Sequence, residues 1–237
     1  PAHQLVRVVA HAVQLLEGDD LRGPLLLQVA LHLVAVVEAD DERGGEEMLE
    51  GVGAQGADAV LDEMLTEREG LNLRLLGGDP VIMATVGDDF SAYDDRLANL
   101  GLDQSHIRRI EGKYTAQAFI TTDLDDNQIT AFHPGAMNVS HENRVGDARD
   151  IKLGIVSPDG RQGMLEHARQ FNEAGIPFIF DPGQGLPMFS GVELQDFVGL
   201  ADYVTLNDYE AQLMQERTGH SLEKLSGEVK ALIVTLG

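Results

Sequence analysis

The sequence predicts an α/β fold: a parallel sheet packed between helices, with one small β-flap. Three observations predict it. From Pro80 onward, short runs of β-forming residues alternate with stretches of helical apolar spacing. Strands separated by helices imply parallel pairing through right-handed crossovers. Between two of these units, two β-rich runs joined by a polar turn read as an inserted hairpin.

The elements follow in chain order. Residues 3–16 place Leu5, Val8, Val9, Ala12 and Leu16 on one helical face. Residues 25–37 are apolar nearly all round and read as a buried helix or strand. Residues 51–56 read as a loop and residues 57–66 as a short acidic helix. Residues 80–86 (PVIMATV) form a strand closed by Gly87. Phe90, Tyr93, Leu97 and Leu100 then lie at helical spacing, and Gly101 is placed to cap that helix. Residues 114–122 (YTAQAFITT) and 129–133 (ITAFH) are the arms of the hairpin, and residues 123–128 (DLDDNQ) are its turn. Residues 151–156 are a strand, and Met164, Leu165, Ala168 and Phe171 mark a helix ending at Gly175. Residues 177–180 are a strand stopped by Asp181-Pro182-Gly183. Residues 203–206 are a strand, followed by a helix from Asp208 to Arg217. Residues 229–236 (VKALIVTL) are the last strand.

The first seventy residues differ in kind from the rest. They contain no Ser, Asn, Lys, Ile, Phe or Tyr, and all of these appear from Asn72 onward. Such a shift predicts a division into an N-terminal segment, 1–71, and an α/β domain, 72–237. An out-of-frame or misjoined stretch would look the same. The chain opens on Pro1 and closes at Gly237 on an apolar run, so both ends are expected to be cut.

Charge and composition exclude several functions. Lys plus Arg number 17 against 40 Asp plus Glu, a formal charge of −23. Such a surface is solvated and repels nucleic acid and anionic membranes. It can still take a phosphorylated ligand, because phosphate sites are built locally from backbone N–H groups and a metal. There is no cysteine, so disulfides and thiolate chemistry are excluded, which fits a cytoplasmic location. The longest apolar run, 25–37, is interrupted by Gln28 and His32 and is shorter than the roughly 20 residues of a membrane span. Asp19 and Asp20 ahead of it deny it the basic flank of a signal peptide. His3, His11 and His32 lie too far apart for a local metal motif.

The most informative segment is DYVTLNDYE, residues 202–210, in which a strand runs into Asn207 and Glu210 follows on the next helix. By itself this is a capping box, with Asn207 as N-cap and Glu210 reaching back to it. The same two side chains would stand at the C-terminal edge of a parallel strand, where ligands of open α/β sheets bind. An amide and a carboxylate there can hold hydrated Mg²⁺ beside a nucleotide's phosphates. The two readings are compatible. VTLG, residues 234–237, ends a strand in Thr235-x-Gly237, which allows the backbone to pass close to a ligand. In FIFDPG, residues 178–183, the Asp181 turn could also aim a carboxylate into the cleft. Gly87-Asp88-Asp89 reads as a loop carrying an N-cap. Gly77-Gly78 does not meet the dinucleotide fingerprint, and no G-x-x-x-x-G-K-[ST] occurs.

Taken together, these segments resemble the ribokinase or PfkB family of carbohydrate and nucleoside kinases. Residues 72–90 (NLRLLGGDPVIMATVGDDF) are similar to the later part of the family's glycine-rich signature and the strand after it. Residues 115–138 (TAQAFITTDLDDNQITAFHPGAMN) resemble its β-lid, here placed at about 112–138. TLNDYEAQLM, residues 205–214, carries an N-x-x-E motif, and IVTLG, residues 233–237, resembles the strand entering the nucleotide loop. SPDGRQGM (157–164) and FDPGQGLPMF (180–189) lean toward adenosine-kinase-like members.

The resemblance implies a Rossmann-like, ribokinase-like α/β fold with a β-lid. It implies ATP and Mg²⁺ as cofactors and a sugar or nucleoside hydroxyl as acceptor. By the resemblance, Asn207 and Glu210 would organise Mg²⁺ and phosphates, and Thr235 and Gly237 would begin the nucleotide pocket. Gln117 and Phe119 would be acceptor contacts, although Phe119 could equally be packed on the sheet. A lid edge can pair with that of a second subunit, so a homodimer is open to the chain. Two departures matter. The Gly-Ala-Gly-Asp motif, whose Asp serves the family as catalytic base, is absent from this sequence, so no catalytic residue is assigned and the chain alone is expected to be inactive. The opening Gly-Gly…Asn of the signature is also not recognisable, and Asn72 receives no substrate role. Two other readings compete: a non-catalytic nucleoside- or sugar-binding protein of the same fold, and a nicotinamide-dependent oxidoreductase, which the missing glycine fingerprint disfavours.

Overall fold

The computed structural model describes residues 24–28, 32–38, 70, 73–75, 78–122 and 128–236. The expected helices at 3–16 and 57–66, the loop at 51–56, most of the hairpin turn and Gly237 lie outside the described residues. A seven-stranded sheet is built from β1 (Pro24–Gln28), β3 (Asp79–Val86), β4 (Ile107–Arg109), β7 (Leu153–Val156), β8 (Phe178–Phe180), β9 (Tyr203–Asn207) and β10 (Ala231–Thr235). Its order is β10-β9-β8-β7-β1-β3-β4, and every neighbouring pair is parallel. A three-stranded sheet, β2-β5-β6, joins β2 (His32–Glu38), β5 (Ala116–Thr122) and β6 (Gln128–His133), with β2 and β5 parallel and β5 and β6 antiparallel. The expected hairpin is thus the β5–β6 arm of this second sheet.

The helices are α1 (Ser91–Asn99), α2 (Arg161–Ala174), α3 (Gly191–Leu200), α4 (Asp208–Thr218) and α5 (Leu222–Ser226). They cover both faces of the large sheet, and β3 shows why. Alternate side chains of a strand point to opposite faces. Ile82, Ala84 and Val86 pack with Phe90, Tyr93 and Leu97 of the α1 region, whereas Met83 packs with Met164, Ala168 and Phe171 of α2. The larger core lies over β7–β9, where the Phe180 and Phe197 rings stack at 4.2 Å and Phe171 and Phe178 at 5.6 Å. Each such ring, fully buried, contributes about 2 to 3 kcal/mol. Gly154 of β7 makes room for this packing, since a Cβ there would lie 2.4 Å from the Phe171 ring.

Helix ends follow their sequence signals. Gly101, Gly175 and Gly219 sit just past α1, α2 and α4 with positive φ, where glycine bears no Cβ penalty. The stretch 25–37 is neither one helix nor one strand. It divides at the polar positions Gln28 and His32, with β1 inserted between β3 and β7 and β2 placed beside β5 in the other sheet. The strands at 151–156 and 229–236 are shorter than their apolar runs, because pairing begins only where a neighbour is in reach. The elements β4 and α5 are too short to show a period. Helix α3 does carry a local signal: Ser190 and Glu193 form a capping box at its start.

Candidate functional site at the C-terminal edge of the sheet

All seven strands of the large sheet run the same way, so their C-terminal ends line one edge. The chain leaves β1 toward β3 on one side and leaves β7 toward β8 on the other. The order therefore reverses between β1 and β7, and in open α/β sheets the ligand crevice opens above such a point. One group of side chains flanks it from β8, β9 and β10, and a second from the end of β3 and the lid.

The first group is centred on Asn207, the last residue of β9 and the N-cap of α4. Its Oδ1 accepts from the Glu210 N–H at 2.8 Å, while the Glu210 carboxylate accepts from the Asn207 backbone N–H and from its Nδ2, each at 2.8 Å. The expected capping box is therefore complete, and it holds both side chains at the strand edge. Thr235 stands beside Asn207 in the parallel register of β9 and β10. Its hydroxyl donates to the Leu206 carbonyl at 3.4 Å.

Asp181 joins this group from the end of β8. Part of its surface reaches solvent, yet protein surrounds the carboxyl densely enough that burial dominates and lifts its pKa to about 7. The neighbouring Glu210 charge adds to the rise, and the Thr205 hydroxyl and Gly183 N–H oppose it. Glu210 is also raised, first by burial and then by the Asp208 charge, against its bonds to Asn207. The cluster offers hard oxygen donors, the Asp181 and Glu210 carboxylates, the Asn207 amide and the Thr235 hydroxyl, which fits a magnesium ion. Among the described residues, no group of three or more His, Cys, Asp or Glu could hold a metal by itself.

The second group gathers at the end of β3, four strands from β9 in the sheet order and hence roughly 19 Å along the edge. Here Gln117 and Phe119 share one face of β5, opposite His133 and Ala131 of β6. Phe119 is 46% exposed, so its side chain is only partly covered. Gln117 Nε2 donates to Asp89 Oδ2 at 3.3 Å. The structure thus brings Asn207, Glu210 and Thr235 together and sets Gln117 and Phe119 apart from them along the same edge. Asp181 and Asp89 belong to these groups as well. Their signals in the sequence were the turns that follow β8 and β3, and turns of that kind are common.

The pfkB family carbohydrate kinase profile matches residues 71–237, more than two thirds of the chain. The chain belongs to the pfkB family of carbohydrate kinases. This pfkB member is 28% identical over 169 residues to a nucleoside kinase of Methanocaldococcus jannaschii, a match covering 70% of this chain and 55% of that protein. It is 32% identical over 142 residues to a nucleoside kinase of Methanothermobacter thermautotrophicus, covering 57% of this chain and 45% of that one. The chain thus spans about half the length of the curated relatives it matches. Among solved structures it resembles the nucleoside kinase of Burkholderia thailandensis in complex with inosine, with a TM-score of 0.77 and 41% identity, covering 90% of this chain and 70% of that one. A second structure of that enzyme, in complex with ADP-inosine, matches with a TM-score of 0.72 and 40% identity, covering 89% and 68% of the two chains. The ribokinase-like α/β fold is thereby shown. The structural match takes in part of the segment before residue 71, where the family profile begins.

Proposed function

We propose that this chain is the acceptor- and nucleotide-binding part of an ATP-dependent kinase acting on a nucleoside hydroxyl. The observation that carries the reading is the single strand edge with two unlike ends. One end gathers Asn207, Glu210, Thr235 and Asp181, a cluster of carboxylates, an amide and a hydroxyl. The other end offers an exposed aromatic ring and a side-chain amide, Phe119 and Gln117. A polyphosphate with its cation suits the first end, and a base or sugar suits the second. A nucleoside is favoured over a free sugar because the matched relatives are nucleoside kinases, one of them solved with inosine. Whether the purine is adenosine or inosine is left to the titration below.

The residues divide the work. Asn207 and Glu210 would hold Mg²⁺, with Thr235 and Gly237 at the entry to the nucleotide pocket. When bound, Mg²⁺ supplies charge neutralisation for the transferring phosphoryl group. The cap bonds between Asn207 and Glu210 fix both side chains before ligand arrives, so little ordering is left to be done on binding. Gln117 and Phe119 would grip the acceptor and shield it from water. The sequence holds no Gly-Ala-Gly-Asp run, so we expect binding without turnover from these residues alone. Three further readings belong to the proposal. The change of composition at Asn72 marks a boundary in the chain's origin, checked by mass spectrometry of peptides from native material. The lid edge at β6 pairs two copies, checked by sedimentation. The protein works in the cytoplasm; among the described residues no helix is long and apolar enough to cross a membrane.

Titration calorimetry of the chain with inosine, adenosine, ribose and ADP, with and without Mg²⁺, tests the proposal. Saturable nucleoside binding together with Mg²⁺-dependent ADP binding is expected. Binding of ribose but not of nucleosides, or of ADP equally without Mg²⁺, would overturn the acceptor or the metal assignment respectively.

A further inference from the structure

The loop after β3 does more than end a strand. Gly87 lies against the start of the lid so closely that a Cβ would stand 2.2 Å from the Lys113 carbonyl oxygen and 2.5 Å from the Thr115 nitrogen. Gly135, at the far root of the lid, presses on the same segment, with its Cβ direction 2.1 Å from the Tyr114 carbonyl oxygen. The Ala136 N–H donates to that same oxygen at 2.8 Å. Residues 113–115 are thus gripped from both sides by backbone.

Asp89 closes this grip. Its Oδ1 accepts from the Thr115 backbone N–H at 2.8 Å and from the Thr115 hydroxyl at 2.7 Å. The Gly87 N–H donates to the Thr115 oxygen at 3.0 Å, completing a small ring of bonds. Asp88 adds a bond from the Gly112 N–H at 2.9 Å. The second oxygen of Asp89 accepts from Gln117 Nε2. A carboxylate only accepts hydrogen bonds, so the Gln117 amide can meet it through its NH₂ and not through its carbonyl. Among the described residues the carbonyl Oε1 has no hydrogen-bond partner.

We infer that Asp89 is a positioning residue that latches the root of the lid and fixes the orientation of the Gln117 amide, so that the carbonyl of Gln117 is presented to a hydrogen-bond donor on the nucleoside. The inference rests on the nucleoside reading for its ligand, and on the geometry of the lid root for its latch. It makes the loop after β3 a determinant of acceptor recognition, although Asp89 need not touch the acceptor.

Two variants separate the parts. In Asp89→Asn the remaining oxygen can keep both Thr115 donors, but its NH₂ then faces the NH₂ of Gln117, donor against donor. In Asp89→Ala both functions are lost. Amide hydrogen exchange at Thr115 and inosine affinity are measured on the full chain for wild type, D89N, D89A, Q117A and the double variant D89N/Q117A. The expected result is Thr115 exchange about tenfold faster in D89A and nearly unchanged in D89N. Inosine affinity should fall about tenfold in D89N, and D89N should add nothing further once Gln117 is alanine. A role in folding alone predicts equal losses with and without Gln117, and that outcome overturns the positioning role. So does unchanged inosine affinity in D89N. If wild type binds no nucleoside, the underlying function reading and the Gln117 role fall together. The latch is judged separately: unchanged Thr115 exchange in D89A overturns it.

Discussion

The two ends of the ligand edge are held by different means. At the β9–β10 end, Asn207 and Glu210 are three residues apart and satisfy one another across the first turn of α4. At the lid end, Asp89 reaches residues 26 and 28 positions away, and Gly87 and Gly135 press on backbone from separate elements. One end is a local motif that a short peptide could nearly form. The other exists only when β3, the lid and the turn after β6 are assembled. The difference teaches where to expect rigidity and where to expect motion. A capped strand end moves only if its helix unwinds, whereas a lid root can open by breaking a small set of hydrogen bonds to the loop after β3 and to Ala136.

The comparison can be broken from either end. Glu210→Gln removes a charge from the metal end and should weaken Mg²⁺-dependent ADP binding about 100-fold while sparing nucleoside affinity, as read by calorimetry. Equal loss of both ligands would mean that the ends are not separate. Gly87→Ala forces a Cβ into the backbone of residues 113–115 and should cost about 2 kcal/mol in chemical denaturation. Faster exchange should then be confined to the lid, with α4 unaffected.

A smaller effect sharpens the electrostatic side. The Asp181 carboxyl is raised from 3.8 to about 7, so across that window the folded chain keeps a proton that the unfolded chain has released. Stability should therefore fall as pH rises from 3.8 to about 7 and level off above it. Asp181→Asn should flatten that part of the profile and raise the melting temperature at pH 8, where the wild-type carboxyl carries its charge. A profile that keeps its slope in the variant would place the titrating group elsewhere. The smallest expected change is in the stability of Phe119→Ala. The ring is 46% exposed, so stability should stay within about 0.5 kcal/mol of wild type while nucleoside affinity drops. A large loss of stability would return Phe119 to the role of packing residue.

What could be read from the chain alone follows the same division. The alternation of strands and helices from Pro80, the hairpin arms, the glycine stops at Gly101 and Gly175, and the Asn207–Glu210 pair are all short-range patterns, and the structure contains each of them. Their signals lie within one or two turns of chain, where periodicity and capping act. The apolar run at 25–37 was ambiguous for a matching reason. Its composition fits any buried element, and only its neighbours, β3 and β7 on one side and β5 on the other, assign it to two strands in two sheets. Helix α3 was missed although two local signals stood in the sequence, its capping box and the helical spacing of Leu194, Phe197 and Val198.

The sequence by itself determined which residues could carry chemistry and which strand each would follow. Only the tertiary structure decided which of them meet. Parallel pairing of β9 with β10 sets Thr235 beside Asn207. The end of β8 brings Asp181 close enough to Glu210 for the Glu210 charge to raise the Asp181 pKa. Folding of the lid onto β3 turns a common loop, Gly87-Asp88-Asp89, into the support of Gln117. The physical reason is that capping and periodicity are settled within a few residues, whereas the pKa of a carboxyl and the partner of an amide depend on groups that reach it from distant parts of the chain.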